Sequence, residues 1–258
     1  GVLWAVHHRM PENIEAYSDE ARTQYNTVNS LFAHAVMKGK RVMVHDYHLT
    51  LAPKMIRGAE KQRRFPLSDR KSIMFYLHIP MWDEETYEQV KETPNHEGIE
   101  RLMLDELEGM LYSDLIGFQT PRDAHMYAVL VDKHVEGARV RENPDDSYSI
   151  EYKDHIARSE AFPISIDTDA IRDYVTGTQM SFRFEDGTYL YDEVQAAERD
   201  GVLVAAKIGR LDYTKAFKEN MLIAEKLSQM GLPIKYFVIA APTRESLNAY
   251  EKVRNEAI

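Results

Sequence analysis

Apolar positions along this chain alternate between two spacings. Tyr25, Val28, Leu31, Phe32, Ala35 and Val36 recur at helical intervals within residues 21–37, and Gly39 predicts the stop. Two short runs follow, residues 41–46 and 72–77, each read as a strand. The first passes through Tyr47-His48-Leu49 into a helix carrying Leu51, Met55 and Ile56. Leu102, Met103, Leu107, Met110 and Leu111 form one face of a helix spanning residues 98–112. Residues 114–119 make a third strand, Pro121 suits the first turn of the next helix, and residues 161–166 are a further strand candidate.

The second part changes character. Residues 176–201 are polar, carry the Glu185-Asp186-Gly187 turn signal, and show no helical stripe before 194–198. Val202–Ala206 then reads as a strand buried on both faces, bounded by Asp200-Gly201 and Gly209. Phe217, Met221, Ala224, Leu227 and Met230 predict a helix over 214–230 with Thr214 as its N-cap, followed by a strand at 234–240 and a helix at 243–256. This alternation predicts α/β architecture with open parallel sheets, in which ligands bind beyond the carboxyl ends of the strands. Strands 41–46, 72–77 and 114–118 are expected side by side in one sheet, and strands 202–208 and 234–240 in another. The expected organisation is a first domain over 1–175, a connection over 176–201, and the first part of a second domain over 202–258. The chain opens without methionine and stops inside a helical pattern, so the start of the first domain and the rest of the second are expected to be missing.

Composition narrows the chemistry. A 258-residue chain with 44% hydrophobic and 29% charged residues reads as a soluble globular protein. A net charge of −10 argues against a nucleic-acid backbone as partner, so any phosphate site must gather its cations locally. The absence of cysteine excludes disulfides and thiolate metal sites. No apolar run approaches the roughly 18 residues of a membrane span and no signal peptide is present, so no membrane partner and a cytoplasmic location are expected. Arg210 and Lys215 fall where strand gives way to helix. Two cations beside free helix N–H groups suit a phosphate or diphosphate, although each also reads as a solvated surface charge.

Seven segments in order carry a resemblance. Leu3-Trp4, His45-Asp-Tyr-His-Leu49, Leu77-His-Ile-Pro80, Asp114-Leu-Ile-Gly-Phe-Gln-Thr120, Phe162-Pro-Ile-Ser-Ile-Asp167, Gly209-Arg-Leu-Asp-Tyr-Thr-Lys215 and Ala241-Pro-Thr-Arg244 together resemble the trehalose-6-phosphate synthases. The resemblance implies a retaining glycosyltransferase of two facing Rossmann-like domains with parallel sheets (GT-B type), using UDP-glucose as co-substrate, glucose 6-phosphate as acceptor, and neither a cofactor nor a catalytic metal. It implies Arg210 and Lys215 as the grip on the donor diphosphate, where a leaving group needs positive charge. Asp46 corresponds to the acceptor-side carboxylate, His78 to the histidine beside the transferred sugar, Trp4 to an acceptor-site tryptophan, and Arg244 to the arginine that holds the acceptor's phosphate. Read without the resemblance, Asp46 is equally a helix cap, His78 a strand-end hydrogen-bonder, Trp4 a core anchor and Arg244 a surface charge. A homo-oligomer, or a place as a subunit of a synthase complex, is an expectation of the same kind.

Several positions depart from the family pattern: Ala5 and Ser165 replace a proline and a glycine, Ala216 replaces the glycine after the diphosphate lysine, and Met81-Trp82 replaces Phe-Pro. The glycine-rich donor loop and the segment that binds the donor sugar and ribose are absent from this chain. Two other readings follow: a glucosylglycerol-phosphate synthase taking glycerol 3-phosphate, and a non-catalytic regulatory homologue that binds sugar phosphates. Trp82, placed beside the acceptor loop, leaves room for both.

Overall fold

The computed structural model describes residues 1–14, 17–177, 183–184, 186–210 and 215–241, with the backbone alone at 67 and 175–177. It divides into two compact units, Gly1–Ser165 and Ile166–Ile258. Both are α/β. The division falls earlier than residue 175.

The first unit opens with a short helix, α1 (Val2–His7), and a long one, α2 (Asp19–Ala35), which Ser18 caps by accepting the Ala21 N–H at 3.1 Å. Strand β1 (Arg41–His45), helix α3 (Ala52–Gln62), strand β2 (Ser72–Tyr76), helices α4 (Glu84–Val90) and α5 (His96–Met110), strand β3 (Leu115–Phe118) and helix α6 (Pro121–His134) follow. The unit closes with β4 (Arg139–Glu142), β5 (Tyr148–Tyr152) and β6 (His155–Ala161). The sheet order is β1-β2-β3-β6-β5-β4. β1, β2, β3 and β6 run parallel, while β5 and β4 fold back antiparallel. The register sets His45 opposite Tyr76, Tyr76 opposite Gly117, and Phe118 opposite Ala161, so four strands end level along one edge.

Strands 41–46, 72–77 and 114–118 are therefore neighbours, as the alternation predicts. The β4–β6 meander was not predicted; its polar positions alternate with buried Tyr148, Ile150, Tyr152, Ala157 and Ser159, which is the period of a half-buried sheet. The strand expected at 161–166 ends at Ala161 instead. Pro163 has no N–H to extend a ladder, and the Ile164 N–H goes to the Gln119 side chain at 3.0 Å.

Ile73, Phe75, Leu77, Ile116 and Phe118 fill the sheet's interior, and Met103, Leu107 and Met110 of α5 and Tyr127 and Leu130 of α6 complete the core. The stripe read on α2 is only partly buried. Val28, Leu31 and Phe32 are exposed, whereas Asn29 and Ala33 face inward. The helix is oriented by hydrogen bonds rather than by its apolar face. Tyr25 Oη donates to the Tyr47 carbonyl at 2.7 Å, and Asn29 donates to the His48 carbonyl and accepts the Leu51 N–H, each at 3.1 Å.

The second unit contains α7 (Thr168–Gly177), α8 (Leu190–Arg199), β7 (Leu203–Arg210), α9 (Phe217–Gln229) and β8 (Ile234–Ala241), with β7 and β8 parallel in a sheet of their own. The stretch read as a connection at 176–201 thus carries α8, which buries Ala197, returns the Val202 N–H to the Ala197 carbonyl at 2.8 Å, and pairs Glu193 with Lys235. Contrary to the reading of 202–206, β7 is not buried on both faces: Leu203 and Ile208 are exposed. Among the described residues, two strands with three helices supply too few elements to cover it. The expected helix at 243–256, with Arg244 in its first turn, lies outside the described residues, as does Thr214.

The residue that opens α9 is Ala216, at φ 51° and ψ 41°, with no side-chain cap. It stands where the family pattern has glycine. A left-handed alanine costs about 1–2 kcal/mol that glycine would not. Ala216→Gly should accordingly stabilise the second unit by about 1 kcal/mol, read as a later denaturant midpoint at unchanged slope; an unchanged or earlier midpoint would show that the backbone here is unstrained.

Candidate active site

The level strand ends of the first unit gather one cluster of polar groups. Asp46 follows β1 directly, and its N–H still donates to the Tyr76 carbonyl at 2.8 Å, as a ladder residue would. Its backbone, however, lies at φ 69° and ψ 166°. That region is essentially reserved for glycine, and holding another residue there costs on the order of 1–3 kcal/mol. The turn sends the chain into Tyr47–Leu49 and leaves the Asp46 carboxylate half-buried. Oδ2 lies 3.8 Å from His48 Nδ1, while Oδ1 is buried without a hydrogen-bond partner among the described residues. A desolvated, unpartnered carboxylate oxygen is costly and is suited to accept a donor from elsewhere.

Beside it, His45 Nδ1 and His78 Nε2 stand 2.9 Å apart, with ring centroids at 5.1 Å. Such a contact needs one donor and one acceptor, so one proton lies between the two rings. Tyr76 lies against His78 at 4.8 Å, and its hydroxyl donates to the Phe162 carbonyl. Gly117 permits this. A Cβ there would sit 2.6 Å from the Tyr76 ring.

Behind the cluster, α1 is tied to the loop after β2. Buried His7 places Nδ1 3.0 Å from the Pro80 carbonyl and Nε2 3.2 Å from Glu106 Oε1. Both ring nitrogens face acceptors, and only the imidazolium satisfies both. Burial by itself lowers the His7 pKa, but the Glu106 carboxylate, the Pro80 carbonyl and the charge of Asp46 outweigh it and raise the pKa above its usual 6.5. Asp123, at the capped start of α6, accepts the Met81 N–H at 2.9 Å and fixes the same loop. Arg9 reaches Asp83 at 3.0 Å and the Met81 carbonyl at 3.1 Å.

Trp4 stacks on His8 at 4.0 Å and lines a cavity of ≈ 370 Å³ together with Tyr25, Tyr47 and His48. His48 is the link, since it also approaches Asp46. Trp4, Asp46 and His78 are thus held on one side of one unit. Trp82 is not part of this surface. It is fully buried and stacks near Tyr87 at 6.0 Å, so the departure from the family pattern there is a core substitution and not a change to an acceptor loop.

In the second unit Arg210 closes β7 and exposed Lys215 immediately precedes α9, which places both at the strand-to-helix passage. Residues 211–214 between them, and Arg244, lie outside the described residues. His45, Tyr76 and the His7–Glu106 pair were not assigned from the sequence. For His45 a signal existed, because the register of two level parallel strands sets residue 45 beside the end of β2. For His7 and Glu106, 99 residues apart, no local pattern could pair them.

A sequence model of glycosyltransferase family 20 matches residues 1–257. The chain belongs to this family. The alpha,alpha-trehalose-phosphate synthase [UDP-forming] 1 of Caenorhabditis elegans is 25% identical over 274 residues, covering 100% of this chain and 19% of that protein. Among solved structures, an alpha,alpha-trehalose-phosphate synthase (UDP-forming) of Burkholderia xenovorans in complex with glucose-6-phosphate superposes with a TM-score of 0.74 at 22% identity, over 99% of this chain and 52% of that one. An E. coli structure bound with UDP-2-fluoro glucose gives 0.70 at 25% identity, over 99% and 51%. The family 20 chain therefore has the GT-B type of fold, and it spans about half the length of these solved proteins.

The charged His7 has a stability consequence. Its raised folded pKa means its contribution is complete below pH 6.5 and lost as pH rises through the folded value. Thermal melts from mildly acidic to mildly alkaline buffer should show the first unit weakening over that interval. Glu106→Gln should lower stability by about 1–3 kcal/mol at the acidic end and flatten the slope. An identical slope in the variant would mean that another group titrates.

Proposed function

We propose that this chain forms part of a retaining glucosyltransferase that moves glucose from UDP-glucose to glucose 6-phosphate, releasing UDP and forming trehalose 6-phosphate. The observation that carries the reading is Asp46, held in a glycine-type conformation with one buried oxygen unpartnered, at the carboxyl end of β1. Such strain persists where a site demands it. The names of the family relatives and the glucose-6-phosphate in the Burkholderia structure support the same reading.

The roles follow from chemistry. The Asp46 carboxylate accepts hydroxyl hydrogen bonds from the acceptor sugar, and Trp4 offers an aromatic wall to its apolar face. His78, sharing a proton with His45, contacts the transferred glucose. Arg210 and Lys215 stabilise the negative charge that builds on the departing diphosphate, beside the first turn of α9, which Ala216 has no side chain to cap. Arg244 holds the acceptor's phosphate, an assignment resting on its sequence motif alone. The reading calls on no metal or other cofactor, and it places the enzyme in the cytoplasm with its substrates.

The test is UDP release by the full-length protein given UDP-glucose with glucose 6-phosphate or with glycerol 3-phosphate. Glucose 6-phosphate should be the productive acceptor. Preference for glycerol 3-phosphate would make the protein a glucosylglycerol-phosphate synthase, and release with neither would favour a non-catalytic homologue. Arg210→Ala and Lys215→Ala should each lower turnover by about two to three orders of magnitude, the scale for removing one group that stabilises developing charge. Near-normal turnover at saturating UDP-glucose would remove them from the site.

A further inference from the structure

At the opposite edge of the first unit's sheet, by the amino ends of β2, β3 and β6, lies a larger cavity of ≈ 680 Å³, within the range of small-molecule sites. Its walls come from α3, the segments leading into β2 and β3, and the β5–β6 turn, with Asn26 of α2 and Asp105 of α5. The chain is strongly acidic, yet six of the cavity's lining residues are cations and three are carboxylates. Arg57 is fully engaged as the floor. It donates to both Asp114 oxygens at 3.0 Å, to Glu60 at 3.0 Å and to the Lys71 carbonyl at 2.8 Å. Lys54 and Lys153 share Glu108 at 2.5 and 3.0 Å. Lys61 and Arg64 form no ion pair among the described residues, and Arg70 approaches only the open Asp154, at 3.7 Å.

One further observation singles out this place, beside the turns that carry Arg64, just past the end of α3, and Lys153, in the β5–β6 hairpin, both in the left-handed conformation such turns use, at φ 55° and 54°. Gly58 lies in the interior of α3 with nothing within 4 Å of where a Cβ would be. A helix-interior glycine is disfavoured by about 1 kcal/mol relative to alanine, and no neighbour among the described residues accounts for it. Gly58 leaves the floor open between Met55 and Lys61 on one helix face, with Phe65 and Tyr112 as flat apolar surfaces nearby.

We propose that this cavity is a second ligand site, for a phosphate ester with a ring-bearing body, in which Lys61, Arg64 and Arg70 hold the phosphate and the ring lies over Gly58 against Met55 and Tyr112. The proposal is independent of the catalytic reading, because it uses none of the residues on which that reading rests. Two sources share this chemistry, a nucleotide and a sugar phosphate.

The experiment follows the Met55 methyl resonance of the methionine-labelled full chain, assigned with Met55→Leu, during titration with UDP, glucose 6-phosphate or inorganic phosphate. One of the two esters should move it saturably, less strongly at higher salt, and that ester names the source. Lys61→Glu/Arg64→Glu, both at exposed positions, should weaken the response about ten- to hundredfold, equivalent to one or two charge-assisted hydrogen bonds. Gly58→Trp should abolish the response while Gly58→Ala preserves it. Asp46→Asn, at the far edge, should leave it unchanged. No response to either ester, a response to inorganic phosphate of equal strength, or a response that survives the charge reversal would overturn the proposal.

Discussion

The first unit depends on how β1 leaves its sheet. One residue, Asp46, keeps its ladder hydrogen bond to Tyr76 while its φ and ψ turn the chain out of the strand. Everything next to it is arranged to hold that turn. Half-buried Tyr25 and buried Asn29 of α2 pin the carbonyls of Tyr47 and His48, the Leu51 N–H is accepted by Asn29, and Tyr25 Oη meets Thr50 Oγ1 at 2.6 Å. Polar groups without water form their bonds in one geometry or lose them, so this network fixes the loop more narrowly than apolar packing would. α2 shows the consequence, turning Asn29 inward while Leu31 and Phe32 stay outside.

Much of this was legible in the sequence, for definite reasons. The runs at 41–46, 72–77 and 114–118 are short, each carry β-branched or aromatic residues, and are separated by helical stripes, which leaves few topologies. Asp46 and His78 were legible as strand-end polar groups, and in parallel sheets that edge is where ligands bind. The remainder depends on contacts that no local pattern encodes. The β4–β6 meander is too polar to read as apolar runs. His7 finds Glu106 across the whole unit, and a strained backbone at Asp46 is invisible to residue type. At Ala216 the departure from glycine was visible, but its meaning required the left-handed φ.

The two edges of the sheet carry different chemistry. The carboxyl edge carries a carboxylate with an open valence and a histidine pair sharing a proton. The amino edge carries cations in a network around Arg57 and Asp114, where the Ile73 N–H also reaches the Asp114 carboxylate at 2.7 Å. Against a net charge of −10, positive charge is concentrated locally, in the six cations around the amino-edge cavity and in Arg210 and Lys215 before α9. Rigid strands between the two edges keep both sets of side chains in place.

The decisive measurement is on Asp46→Gly, made in the full-length protein and read twice. If the strained backbone is maintained for the sake of the carboxylate, glycine relieves the strain and removes the unpartnered buried oxygen, so unfolding free energy should rise by about 1–3 kcal/mol. Turnover of UDP-glucose with glucose 6-phosphate should at the same time fall by at least about two orders of magnitude. A variant that is less stable, or one that keeps its turnover, would contradict the assignment of Asp46 as the residue around which this site is built.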